Sequence, residues 1–171
     1  MRFVKITAVI LLGVVLFLGI VFVTAGILVP SERTFSQETI IDAPPEIVWN
    51  VLTEREKYPE WQKDLKSVKI TGEKTWTEET KDAGPIDFKI LRSEKPVLLE
   101  IEYSMGSWMK GGWSGKLKRL EGGKTLINTT DKTSVKSWPM KIGMSMFFDI
   151  EDFARDWNRA LKTRAESSYV K

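Results

Sequence analysis

This chain contains no His and no Cys, and its candidate proton-moving side chains are strand carboxylates and Tyr103. That composition removes imidazole general bases, thiolate nucleophiles, a disulfide framework and ordinary zinc sites. The carboxylates of interest are Glu78, Glu79, Asp87, Glu100 and Glu102, which stand in strand-like runs together with Tyr103. Alternation turns most of them toward solvent, and Glu100 and Glu102 oppose the apolar set Leu99, Ile101 and Tyr103. A carboxylate buried among them would hold its proton more tightly and become an acid–base candidate. No catalytic residue, metal ligand or cofactor is assigned.

The second chemistry available is apolar burial. Seven Trp and eight Phe supply large flat surfaces that build cores and line apolar pockets. The expected ligand-lining set is Trp76, Phe88, Tyr103 and Trp113 from strands, Met144 ahead of the last helix, and Phe147, Ile150, Phe153 and Trp157 on or near its apolar stripe. Core packing is the competing role for each, and a one-residue slip in strand register would reverse every strand assignment. Trp49 and Trp61 read as packing residues, with Trp61 plugging one end of the core. Trp108 and Lys110, in the segment Ser107 to Trp113, fit either a hairpin loop or an aromatic–basic insertion at a bilayer surface. The hairpin is the simpler reading.

These residues need elements to position them. The first is residues 6–29, which carry no charge. A helix needs roughly 20 apolar residues to cross a hydrocarbon core, so this run predicts a single spanning helix. A cleaved secretory signal would have a shorter apolar core, and a buried core helix would be less uniformly apolar. Arg2 and Lys5 precede the run, which favours a cytoplasmic N-terminus and an exported remainder. An exported domain without cysteine fits a prokaryotic envelope. The net charge of +3 owes most to those two residues, and no basic stripe supports nucleic-acid binding. The domains expected are 1–30, an anchor, and 31–171, one globular unit. Only Val29, Pro30, Ser31 and Glu32 link them, so the domain stays close to the headgroups.

Residues 33–41 read as a strand. Asp42-Ala43-Pro44-Pro45-Glu46 starts a helix whose face is Ile47, Val48, Val51 and Leu52. Thr53 and Glu56 have capping-box spacing and predict a second short helix, ended by Pro59. From Leu65 to Val135 the apolar period is two, with six strands in a meander and residues 33–41 as a seventh. The cleanest alternation is Val97, Leu99, Ile101, Tyr103 and Met105. Glu121-Gly122-Gly123 turns the last hairpin. Met146, Ile150, Phe153, Trp157 and Leu161 return to a helical period and predict one long helix running to about Ser167. The class is α+β.

The run Ile40-Ile41-Asp42-Ala43-Pro44-Pro45-Glu46-Ile47-Val48-Trp49-Asn50-Val51-Leu52-Thr53, followed by Tyr58-Pro59-Glu60-Trp61, resembles the opening of the START-like superfamily. This group is also called SRPBCC, or polyketide cyclase/dehydrase and lipid-transport proteins. Gly111-Gly112-Trp113-Ser114-Gly115 with Gly122-Gly123-Lys124-Thr125 resembles its late hairpin. The resemblance implies a helix-grip fold, a curved sheet of seven strands around the C-terminal helix with a cavity between them. It implies no single activity, and an N-terminal span departs from the family's commonest, soluble form. The expected partner is a lipid or hydrophobic small molecule beside a membrane, without catalysis. The alternatives are a cyclase or aromatase using pocket carboxylates and Tyr103, and an envelope interaction protein with a filled interior.

Overall fold

The structure is a computed structural model that describes residues 2–169. Its first element is α1 (Arg2–Leu28). Ile10–Leu28 is long and apolar enough to cross a membrane. Leu11, Phe17 and Ile20 are all exposed, as expected of a helix apolar on every side.

Next come β1 (Glu32–Ile41), α2 (Pro45–Thr53) and a 3-10 helix over Arg55–Glu60. Strands β2 (Leu65–Ile70), β3 (Thr75–Thr80), β4 (Pro85–Glu94), β5 (Leu98–Met105), β6 (Met109–Arg119) and β7 (Thr125–Val135) come after them. They form one seven-stranded sheet in the order β1-β7-β6-β5-β4-β3-β2. Every neighbouring pair is antiparallel, so β2 to β7 are a meander and β1 closes beside β7. Pro45, fixed in φ and lacking an N–H, opens α2 at its first turn. The expected second cap does not form. Thr53 is still inside α2, and its hydroxyl donates back to the Trp49 carbonyl (2.8 Å). The chain then enters the 3-10 turn, and Pro59 lies within that turn rather than ending it.

The expected long C-terminal helix is divided in two, α3 (Trp138–Phe147) and α4 (Ile150–Ser168). Phe148 and Asp149 are extended between them, and the Asp149 carboxylate accepts from the amides of Glu151 (2.9 Å) and Asp152 (3.1 Å). An N-cap therefore sits inside a stretch whose apolar spacing looks unbroken. Met146 belongs to α3, not to the helix of Ile150 and Trp157.

α2 and α4 cover the inner face of the sheet. Ile41, Val48, Leu52, Leu99, Ile127 and Leu161 are almost wholly buried between these layers. Asn158 of α4, also buried, donates to the Thr129 hydroxyl (3.1 Å) and to the Ala154 carbonyl (2.9 Å). Gln37 of β1 donates to the same Ala154 carbonyl (3.0 Å). Polar groups at this seam are thus satisfied while α4 is fixed to β7 and β1.

Candidate functional site

Strand pairing sets two rows of side chains across the inner face. One runs Trp76, Phe88, Tyr103, Gly111, Thr133, Arg33 from β3 to β1. The next runs Ile90, Ile101, Trp113, Asp131, Phe35. Trp76 and Phe88 stack with ring centres 5.1 Å apart, and Phe88 leans on Tyr103 at 5.8 Å. The Arg55 guanidinium caps the outer end of this ladder, 4.9 Å from the Trp76 ring centre. A second aromatic chain joins sheet to helix, because Trp157 of α4 meets Trp113 (5.4 Å) and Trp61 (5.6 Å) edge to face.

Gly111 makes the first row work. A Cβ there would overlap the Tyr103 ring and stand 2.7 Å from the Lys132 carbonyl oxygen. With no side chain in the way, the ring of Tyr103 lies across β6 and reaches β7. Its hydroxyl donates to Asp131 Oδ1 (2.8 Å), the Thr133 hydroxyl donates to the same oxygen (3.0 Å), and the two hydroxyl oxygens are 2.6 Å apart. Burial raises the Asp131 carboxyl above its ordinary range, against the two donated hydrogen bonds. Burial, then the charge of Asp131, push the Tyr103 phenol up as well. The cluster therefore binds protons more tightly than free groups would and offers donor and acceptor groups in a mostly apolar surround.

Glu78 is the other inward carboxylate. It lies two residues from Trp76 on β3, hence on the same face. It is 7% exposed and accepts from Trp76 Nε1 (2.8 Å). Burial pushes it up to about 7, with the indole hydrogen bond pulling the other way. Alternation alone turns most strand carboxylates toward solvent. Glu78 departs from that expectation because Trp76 sets the parity of the strand, while Asp87 and Glu102 do point outward.

A narrow cleft opens between α3, the start of α4 and the inner edge of β1 and β7, with free room of about 20 Å³, space for about one water. Val135, Met144, Phe148 and Ile150 form its apolar walls. Thr133 joins it to the Tyr103 and Asp131 cluster, Arg33 and Lys141 add positive charge, and Pro30 and Ser31 line it just past the end of α1. A wider depression between α2 and the far part of α4 is lined by Glu54, Lys57 and Arg164, charged groups at the surface.

The expected lining residues separate accordingly. Phe88, Tyr103, Trp113 and Trp157 are half-buried on the inner side, and Met144 and Ile150 line the cleft. Trp76 is 1% exposed and packed beneath Phe88. Phe153 stands at the surface beside Phe148 (5.6 Å) and is 44% exposed, off the inner wall. The Phe147 side chain lies outside the described residues. Trp108 lies in the turn between β5 and β6, half-buried against the cluster of Met105, Met109 and Val135. Residues that sequence reasoning missed are Asp131, Thr133, Arg33 and Val135. Parity carried the signal for the first two, because Ile127, Thr129, Asp131, Thr133 and Val135 share one face of β7. The glycine at Gly111 marked the close approach.

Comparison with solved structures returns the same fold at low identity. A START superfamily protein from Mycobacterium smegmatis superposes with a TM-score of 0.65 at 15% identity, covering 80% of this chain and 99% of its own. The Zhui aromatase/cyclase from a Streptomyces species gives 0.66 at 13% identity, covering 79% and 94%. Norcoclaurine synthase from Thalictrum flavum, solved with dopamine and hydroxybenzaldehyde, gives 0.64 at 9% identity, covering 86% and 94%. At such identities the likeness concerns the fold alone. No curated protein matches the sequence. A family described as polyketide cyclase / dehydrase and lipid transport matches residues 32–166. With most of its length matched and the helix-grip architecture in place, the chain belongs to the polyketide cyclase / dehydrase and lipid transport family, within the START-like superfamily.

Proposed function

We propose that this chain is a membrane-anchored binding protein, with residues 1–30 as anchor and 31–171 as a domain that holds a lipid or other hydrophobic small molecule. The two positive residues ahead of the span favour a cytoplasmic N-terminus and a domain on the outer side of the membrane. One observation carries the binding reading. The cleft walled by Val135, Met144, Phe148 and Ile150 is also lined by Pro30 and Ser31, where α1 ends, and by Thr133 of the Tyr103 cluster. Apolar walls offer about 25 cal/mol per Å² of buried ligand surface, and the polar cluster behind them offers orientation. Beneath the middle of α4 the interior is filled by Trp49, Leu52, Leu99, Ile127 and Leu161. The opening beside that core lies toward α3 and holds about one water as it stands, so on this reading a ligand enters by parting the side chains of Met144, Phe148 and Ile150. A diazirine-bearing fatty acid, photolysed with the full chain in nanodiscs, tests this. Adducts on peptides containing Val135 or Met144 that an excess of unlabelled fatty acid suppresses support binding, and adducts confined to α1 or insensitive to that competitor contradict it.

A second reading, an enzyme of the cyclase or aromatase type, is favoured by Glu78, whose carboxyl at about 7 gains and loses a proton near neutral pH. Turnover of a poly-β-carbonyl thioester that is lost in both Glu78→Gln and Tyr103→Phe, with folding intact, would establish it. Absence of turnover in the wild-type chain leaves the binding reading.

A further inference from the structure

We infer that α3 lies in the headgroup–acyl boundary of the bilayer as an interfacial helix, so that the domain meets the membrane through two elements. The inference rests on α1 spanning the membrane and adds a second contact to it. Depth along α1 is the first indication. Trp138, the first residue of α3, packs edge to face on Phe22 of α1 (5.2 Å). A Cβ on Gly26 would stand 2.9 Å from the Trp138 ring and 3.4 Å from Ile142 Cδ1. Phe22 and Gly26 precede the end of α1 at Leu28 by two turns or less. At about 1.5 Å per residue, α3 docks roughly 3–9 Å inside the end of the apolar helix. Interfacial helices bury their apolar faces to about 5–10 Å.

The composition of α3 agrees with that depth. Trp138 to Phe147 contain no acidic residue, and their one charge is Lys141. The Lys141 ammonium turns toward the end of α1, donating to the Val29 carbonyl (3.1 Å) and the Ser31 hydroxyl (3.2 Å). A stem lying along apolar surface with its charge at the rim is the posture of a lysine at a bilayer boundary. Trp138, Met140, Met146 and, just beyond α3, Phe148 all expose apolar surface. That surface continues the exposed apolar surface of α1, which only lipid would cover. Met144 and Phe148 are also walls of the cleft. A ligand would consequently pass from acyl chains to cleft without crossing water.

The native absence of cysteine permits single-site labelling without other changes. Nitroxide labels are placed by Leu16→Cys, Met140→Cys, Met146→Cys and Ser93→Cys in the full chain, reconstituted in nanodiscs of phosphatidylcholine and phosphatidylglycerol. Accessibility to oxygen and to a water-soluble nickel chelate is read by power saturation. The expected result is loss of nickel accessibility with retained oxygen accessibility at Met140 and Met146, less extreme than at Leu16, and full nickel accessibility at Ser93. If Leu16 is in lipid while Met140 and Met146 are open to nickel, α3 is not interfacial and only this inference falls. If Leu16 is itself open to nickel, the anchor reading falls and takes this one with it.

Discussion

The two ends of the sheet's inner face are built differently. Toward α2 and the middle of α4, side chains close on one another until Ile41, Ile127 and Leu161 have no exposed surface. The polar residues there, Asn158 and Thr129, satisfy each other. Toward α3 the packing loosens. Tyr103 and Asp131 are only half-buried, Phe148 and Met146 are exposed, and the Asp131 carboxyl has a raised affinity for its proton. Burial with hydrogen-bond satisfaction makes the first end a source of stability. Incomplete burial beside a polar cluster makes the second the candidate place for a ligand.

Substitutions that weaken one end and spare the other sharpen this contrast. Leu161→Ala at the closed end is expected to cost about 2–5 kcal/mol in denaturant unfolding, and Met144→Ala in the cleft clearly less. Equal losses would erase the distinction between the two ends. Glu78→Gln acts through protons. The folded carboxyl sits at about 7 against an ordinary 4.5, so the folded state binds the proton more tightly. The stabilisation that Glu78 provides is therefore full below the lower value and lost as pH rises through the upper one. The variant should flatten that fall and be more stable than the wild type above about pH 8, by up to ~3 kcal/mol. Glu46, Glu166 and Asp131 also shift but are shared by both chains, so the difference curve belongs to Glu78. Identical pH profiles would place Glu78 in contact with water. Gly111→Ala forces the Tyr103 ring off β6 and should cost about 1–3 kcal/mol, along with the contact to Asp131 seen in the tyrosine's ultraviolet spectrum. Smallest is Phe153→Ser at the surface, expected within about 0.5 kcal/mol. A larger loss would mean that Phe153 faces the interior.

Much of the architecture was legible because it rests on short-range signals. Period-two alternation in Leu99, Ile101, Tyr103 and Met105 located β5, and the Pro44-Pro45 pair located the start of α2. The division between α3 and α4 was hidden because Met146 and Ile150 keep helical spacing across the break, while the Asp149 cap looks like one more surface acid. Site residues were harder. Parity groups Glu78 with Trp76 and Asp131 with Ile127 and Val135, but which face of β3 or β7 points inward depends on pairing with strands far away in sequence. The cleft depends on α3 resting against α1, a contact between segments more than a hundred residues apart that no periodicity announces.

The central claim is that a molecule from the bilayer occupies the cleft beside α3. Photolabelling of the full chain in nanodiscs with the diazirine fatty acid, mapped by peptide mass spectrometry, reads this directly. The account predicts adducts at Val135 or Met144 that an excess of unlabelled fatty acid suppresses. Adducts restricted to α1 and insensitive to that competitor would contradict it.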